Sequence, residues 1–358
     1  HSMRGIEAAI KDKRYVDGIA QCDQQLQPGL ANPQEILRIK SDLLITVGDY
    51  DGAKALFDSV LALRSVPWAK TGLGRIFYQT GHYAQAVEVF RQVLGENRMF
   101  MEASDWLVKA LEALGDTVQA QQVLQTAVTI SPNSVARQKT LGETAYKNGD
   151  MELARTAFEK NIRISEFSVY KSPGAFTGLA KVLSDTNVPD EALKVLGRGK
   201  AAFKNNPEAS IQTAAVESAL YQKMGQTDKA EAAMAGAEKL LEAIAGRVSA
   251  EVTLEMSQSL LALGHKEKAC HLMRQLVKNN HENLTISRQI EAIFDKADLG
   301  AEGLALIRES RQEVVNINNQ GVTLAQKGEL LEGVKLLRIA LQNLPGNEVV
   351  ITNLCGLL

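Results

Sequence analysis

The chain has 358 residues, of which 45% are apolar and only 5% aromatic, and it carries a net charge of −2 from 40 basic and 42 acidic residues. That balance gives no electrostatic reason to expect nucleic acid or an anionic membrane surface as a partner, and no apolar run is long enough to span a bilayer. The three widely spaced cysteines make no disulfide framework. With no basic stretch and apolar segment at the start, they point to a reducing, cytoplasmic setting.

His1-Ser2-Met3 reads as a cloning remnant. From there a small-residue pattern recurs. Gly48, Gly81, Gly115 and Gly149 stand 33, 34 and 34 residues apart, and Ala53, Ala86, Ala120 and Ala154 each follow five positions later. Fixed-period similarity of this kind marks a solenoid of repeated helix pairs, in which each repeat touches only its neighbours. Around Gly81 the first helix runs from about Pro67 to Thr80, with Leu73, Ile76 and Phe77 on one face. Pro67 suits a first turn, and Gly81 suits the left-handed stop after the last. The second helix runs from about Tyr83 to Leu94, with Ala86, Val87, Phe90, Val93 and Leu94 as its apolar stripe. The same register predicts about ten pairs, near 4–28, 34–64, 67–96, 101–131, 135–165, 173–206, 208–246, 250–280, 284–312 and 314–345, with a last helix starting near Asn347. An enlarged loop is expected around Ser165–Ser172. Two repeats are degenerate: Glu217 stands where leucine is expected and Asp298 where the turn glycine is expected.

These residues resemble the tetratricopeptide repeat. Leu73, Gly74, Phe77, Gly81, Tyr83, Ala86 and Phe90 follow its order. So do Leu141, Gly142, Gly149, Ala154 and Phe158, and Gly115, Ala120, Leu124, Ala127 and Pro132. Near the C-terminus Gly321, Leu324, Gly328, Leu337, Ala340 and Pro345 repeat it, with Gly333 in place of the alanine. The resemblance implies an all-α, right-handed superhelical solenoid of about ten antiparallel helix pairs. It would comprise an N-terminal array over 4–172, a C-terminal array over 173–346 and a terminal helix over 347–358. In such repeats the first helix of each pair lines a concave groove. The register then places Arg38 and Asp42 there, followed by Trp68, Thr71, Arg75 and Tyr78, by Asp105 and Lys109, and by Lys139, Glu143 and Tyr146. These are expected to bind a protein or peptide, with Arg and aromatic anchors of the kind that interfaces use. Trp68 has a second reading, as a plug at the junction with the preceding pair. Asp42, Asp105 and Glu143 stand where a chaperone-tail clamp would need lysine or asparagine, which argues against that role.

Val66-Pro67-Trp68-Ala69-Lys70, Glu102-Ala103-Ser104-Asp105-Trp106-Leu107 and Ser131-Pro132-Asn133 resemble more closely the C-terminal repeats of bacterial response regulators that join a receiver domain to tetratricopeptide repeats. The likeness is strongest over about 34–200. It implies a non-enzymatic scaffold acting as the output region of a two-component regulator, although no receiver segment is visible in the sequence.

Other chemistry is thinly supported. His265, Cys270, His271 and His281 are not spaced to put three ligands on one helical face. Neither metal nor cofactor is expected, and a metal site there is the weak alternative. Gly197-Arg198-Gly199-Lys200-Ala201-Ala202 formally fits a dinucleotide fingerprint but falls inside a predicted helix, with no preceding strand. Cys22 and Cys355 read as small buried apolar residues. The apolar ending Leu354-Cys355-Gly356-Leu357-Leu358 is expected to pack back on the preceding pair, the alternative being a homodimer through this helix.

Overall fold

The computed structural model describes residues 2–26, 33–169, 171–280, 284–343 and 348–357. His1, His281, Pro345, Asn347 and Leu358 fall outside this set. All regular structure among the described residues is α-helix. The chain divides into two compact units, residues 1–132 and 133–358. The first contains α1 (Ser2–Lys11), α2 (Tyr15–Gln25), α3 (Gln34–Val47), α4 (Tyr50–Leu63), α5 (Pro67–Gln79), α6 (Tyr83–Glu96), α7 (Met101–Leu114) and α8 (Thr117–Ile130). The second opens with α9 (Val135–Lys147), α10 (Met151–Ser165), α11 (Pro173–Asp185), α12 (Pro189–Ala202), α13 (Pro207–Lys223) and α14 (Thr227–Ala243). It continues with α15 (Ala250–Ala262), α16 (Lys266–Asn279), α17 (Leu284–Lys296), α18 (Gly300–Gln326), α19 (Leu330–Asn343) and α20 (Glu348–Cys355).

The turns set the register. Gly48, Gly81, Gly115 and Gly149 have φ of 81°, 79°, 82° and 78°, a left-handed conformation that other residues adopt only at a cost. Asp49, Asp116 and Asp150 follow three of them and cap the next helix, accepting from the backbone N–H of Gly52, Gln119 and Leu153 at 2.9, 3.0 and 3.2 Å. Where glycine is missing the geometry persists: Asn187 and Asp298 have φ of 60° and 57°.

Five residues beyond each turn lies the seam. Ala53, Ala86, Ala120, Ala154, Ala192, Ala230 and Ala269 have no exposed surface. Only a methyl group fits where two helices meet this closely. Phe57, Phe90 and Phe158 sit one turn further along and are equally enclosed. They fill the space left by glycines on facing helices. A Cβ on Gly72 would fall 2.1 Å from the Phe57 ring, and one on Gly74 would fall 2.5 Å from Phe90.

Two expectations need correction. The break between the ninth and tenth pairs, placed near residue 313, is absent: α18 runs unbroken from Gly300 to Gln326. The sequence Glu309-Ser310-Arg311-Gln312-Glu313 contains neither glycine nor proline, so nothing stops the helix there. Cys22 is buried as expected, but Cys355 is exposed. In α20 the inward face is set by Val350 and Leu354, one turn apart, and Cys355 lies about 100° round the helix from Leu354. Through that face α20 packs on α19, beside Ala340, and Asn353 donates to Asn318 at 3.2 Å. Between α10 and α11 Phe167 and Val169 are almost fully exposed. Gly197–Ala202 lies within α12.

Candidate protein-binding faces

A period of about 34 residues brings equivalent positions of successive first helices side by side. In the first unit these helices are α3, α5 and α7, and their side chains meet across the seams. Arg38 donates to Glu102 at 3.1 Å. Arg75 pairs with Asp42 and lies 3.8 Å from Glu102. The Arg75 guanidinium stands 5.2 Å from the centre of the Trp106 ring and the Lys109 ammonium 4.2 Å from it, within cation–π range. Tyr78 meets Trp106 edge-on at 5.4 Å and Tyr83 at 5.3 Å. The result is one connected patch of cations, carboxylates and aromatic rings.

Burial in this patch is uneven. The Arg75 side chain is 17% exposed and its Nε has no hydrogen-bond partner, whereas Asp42 is 55% exposed. Burial pushes the Glu102 carboxyl above the ordinary range, and Asp42 and Asp105 add to this, outweighing the pull of Arg38 and Arg75. Burial likewise raises the Tyr78 phenol.

Two expected groove residues lie elsewhere. Thr71 is fully buried, and its short side chain ends beneath the surface that Arg38 and Asp105 reach at the same register position. Trp68 is half-buried and packs edge-on against Phe57 of α4 at 6.1 Å, at the margin of the apolar core. Trp106 was missed by the register. It sits one residue past Asp105, and its only sequence signal was its size beside an expected groove position.

In the second unit, first helices α9, α11, α13 and α15 bring side chains together across several repeats. Lys139 on α9 pairs with Glu143 at 2.8 Å and reaches Glu251 on α15 at 3.1 Å, which also accepts from Gln212 at 2.9 Å. Lys181 pairs with Glu255. The Tyr146 hydroxyl donates to Asp185 at 2.6 Å, and Lys223 donates to the same carboxylate at 3.0 Å. Two cavities flank these pairs, of about 320 Å³ beside Lys139 and about 190 Å³ beside Tyr146. Burial drives the Tyr146 phenol well up, and its bond to Asp185 adds to the shift. Burial also pushes Asp185 and Glu251 upward. Hydrogen bonds from Tyr146 and Lys223 hold Asp185 below its usual range, and Lys139 does the same for Glu251. Lys139 is raised because Glu143 and Glu251 outweigh its burial. Extending the register to α11, α13 and α15 from their turn residues would have found Lys181, Asp185, Lys223 and Glu251; Lys223 stands two residues before Gly225, as Asp185 does before Asn187.

Elsewhere His265 contacts Glu231 at 2.9 Å, Cys270 is buried and His271 is exposed. No group of three metal-ligating side chains occurs among the described residues, and no described helix is long and apolar enough to cross a membrane.

These features define a helical-repeat solenoid with polar, aromatic-bearing first helices. Residues 71–135 match the tetratricopeptide repeat family model, and with the helix-pair architecture they support a tetratricopeptide-repeat protein. No curated protein matches the sequence. A tetratricopeptide repeat protein from Parabacteroides merdae is similar in structure, with a TM-score of 0.54 and 18% identity over 73% of this chain and 98% of that one. This likeness shows the fold. TTC0263, a thermophilic TPR protein in Thermus thermophilus, aligns over 51% of this chain and 97% of its own at 19% identity, with a TM-score of 0.39. The Cut9–Hcn1 hetero-tetramer of APC/C aligns over 85% of this chain and 54% of its own at 14% identity, with a TM-score of 0.46.

Proposed function

We propose that the chain is a non-enzymatic protein-interaction scaffold, and that a protein or peptide binds along the first helices α3, α5 and α7. The observation that carries this reading is the Trp106 patch, in which Arg75, Lys109 and Tyr78 converge on one half-buried ring. Clustered Trp, Tyr and Arg side chains are the groups that dominate binding energy at protein interfaces. The face is also polar enough to stay soluble without its partner. Asp42 and Asp105 would then tune specificity rather than supply affinity.

The strings around Trp68 and Trp106 support a finer version, in which this scaffold is the output region of a two-component regulator. The finer version stands or falls with the gene: a receiver domain encoded in the same reading frame is expected, and its absence refutes it. The scaffold itself is tested by cross-linking in source-cell lysate followed by mass spectrometry, using the wild-type chain and a Arg75→Ala/Trp106→Ala variant. A partner captured by the first and lost by the second, with helicity unchanged, is the expected result. A partner retained by the variant moves the site elsewhere.

A further inference from the structure

In the second unit the seam between α14 and α15 opens into a cleft on the side built from second helices. Several second helices pack closely on the first helix that follows, as α4 does on α5, α6 on α7 and α10 on α11. By contrast, α14 barely touches α15, as α16 barely touches α17. The chain leaves α14 through two consecutive left-handed residues, Ala245 at φ 52° and Gly246 at φ 68°, and α15 begins only after the Ser249 cap, whose hydroxyl accepts from Val252. The gap is an open cleft of about 1100 Å³ between α14 and α16.

The lining is apolar where packing would otherwise be. Leu241 and Val248 form one side and Leu272 and Leu276 the other, above Met256 and Leu260, which are buried in the core beneath. Met256 and Leu260 lie beneath the cleft, while Glu251 and Glu255 of the same helix serve the ion pairs of the polar face. The two sites are therefore separate. The rim is acidic. Lys268 is neutralised by Glu238 at 2.7 Å, whereas Glu242 and Glu267 are exposed and have no ion pair among the described residues. The α16 wall from Glu267 to Asn280 runs roughly 20 Å at 1.5 Å per residue, about four helical turns.

We propose that this cleft docks an amphipathic α-helix of a partner protein, with its apolar face inward and Lys or Arg along its edge. An unfilled apolar seam forfeits the contacts that close packing supplies, and a helix laid into a groove restores them. The uncompensated Glu242 and Glu267 select a basic edge over an acidic one.

The test uses the full chain and a labelled designed peptide of about 14 residues, leucine on one face and lysine on the flanks, read by fluorescence anisotropy. A matched peptide with glutamate flanks and a scrambled peptide of the same composition serve as comparisons. The lysine peptide is expected to bind saturably, with both others at least about tenfold weaker. Leu272→Glu should abolish this binding. A Glu242→Lys/Glu267→Lys variant, both surface changes that leave the core intact, should weaken the lysine peptide and strengthen the glutamate one, with the circular dichroism spectrum unchanged. Equal binding of all three peptides, or binding that neither variant alters, overturns the proposal. So does a concentration-dependent dimer seen by light scattering and abolished by Leu272→Glu, which would assign the cleft to a second copy of the chain.

Discussion

Replacing Gly72 with alanine tests whether the seams are close-packed. The new methyl would stand 2.1, 2.4 and 2.6 Å from three carbons of the Phe57 ring, where ordinary contact begins at 3.4 Å. The ring has no free direction, because Phe57 is 1% exposed and Trp68 meets it edge-on. It must therefore move by about an ångström within a filled core, an overpacking that costs roughly 1–3 kcal/mol. The helix preference for alanine over glycine returns about 0.8–1.0 kcal/mol. For a rigid ring the upper half of the first range applies, so the net loss is about 1–2 kcal/mol. Gly95, on α6, is the internal comparison, because a Cβ there meets nothing within 4 Å. Gly95→Ala should stabilise by up to about 1 kcal/mol. Urea unfolding followed by tryptophan emission measures both changes, since Trp68 and Trp106 lie in the first unit. A Gly72→Ala variant as stable as wild type would refute the close-packed seam.

The remaining predictions concern turns, caps and charge. Asp298→Gly relieves a left-handed non-glycine residue and should raise stability by about 0.5–1 kcal/mol, read as a shift in thermal midpoint. Asp116→Ala removes the cap on α8 and should lower the urea midpoint by an amount equivalent to about 1 kcal/mol. The lowered Asp185 and Glu251 carboxyls stabilise the fold above the ordinary carboxylate range, and that contribution is lost as pH falls through their depressed values. Asp185→Asn should therefore be less stable than wild type near neutrality and converge with it in acid, as followed by urea unfolding at a series of pH values.

The periodic elements of this fold were legible because each is fixed by a local steric requirement. A left-handed turn needs glycine, a helix crossing needs alanine, and both repeat with the chain. Asp298 and Asn187 show that the requirement outlasts the residue: the backbone keeps positive φ where the sequence has lost its glycine. What was not legible depended on side-chain reach and on the absence of a stop. Thr71 and Arg38 share a register position, yet only the longer side chain clears its neighbours. α18 is continuous because a helix ends at a specific signal, and the period alone supplies none. Trp106 escaped because it lies between the formal groove positions, and only its meeting with Arg75, Lys109 and Tyr78 shows what it contributes.

The Arg75 network has a further consequence that can be checked without a partner. Asp42 competes with Glu102 for Arg75, and its own negative charge helps to raise the Glu102 carboxyl. Asp42→Asn removes both effects, and each then drives Glu102 downward. Because the Glu102 value is raised in the folded state, that state binds its proton more tightly than the unfolded chain does. Stability therefore falls as pH rises from the ordinary carboxylate range through the raised value, and Asp42→Asn should flatten that fall. An NMR titration of the Glu102 side chain should show the lowered value, with overall stability changed by less than about 1 kcal/mol, since Asp42 is mostly exposed. A Glu102 carboxyl that titrates as before would mean that burial alone controls it and that Asp42 is electrically silent. If the shift occurs, Arg75 passes readily from one carboxylate to another. Its guanidinium is already largely desolvated and its Nε still unpaired, so a partner's carboxylate could replace Asp42 without reorganising the face.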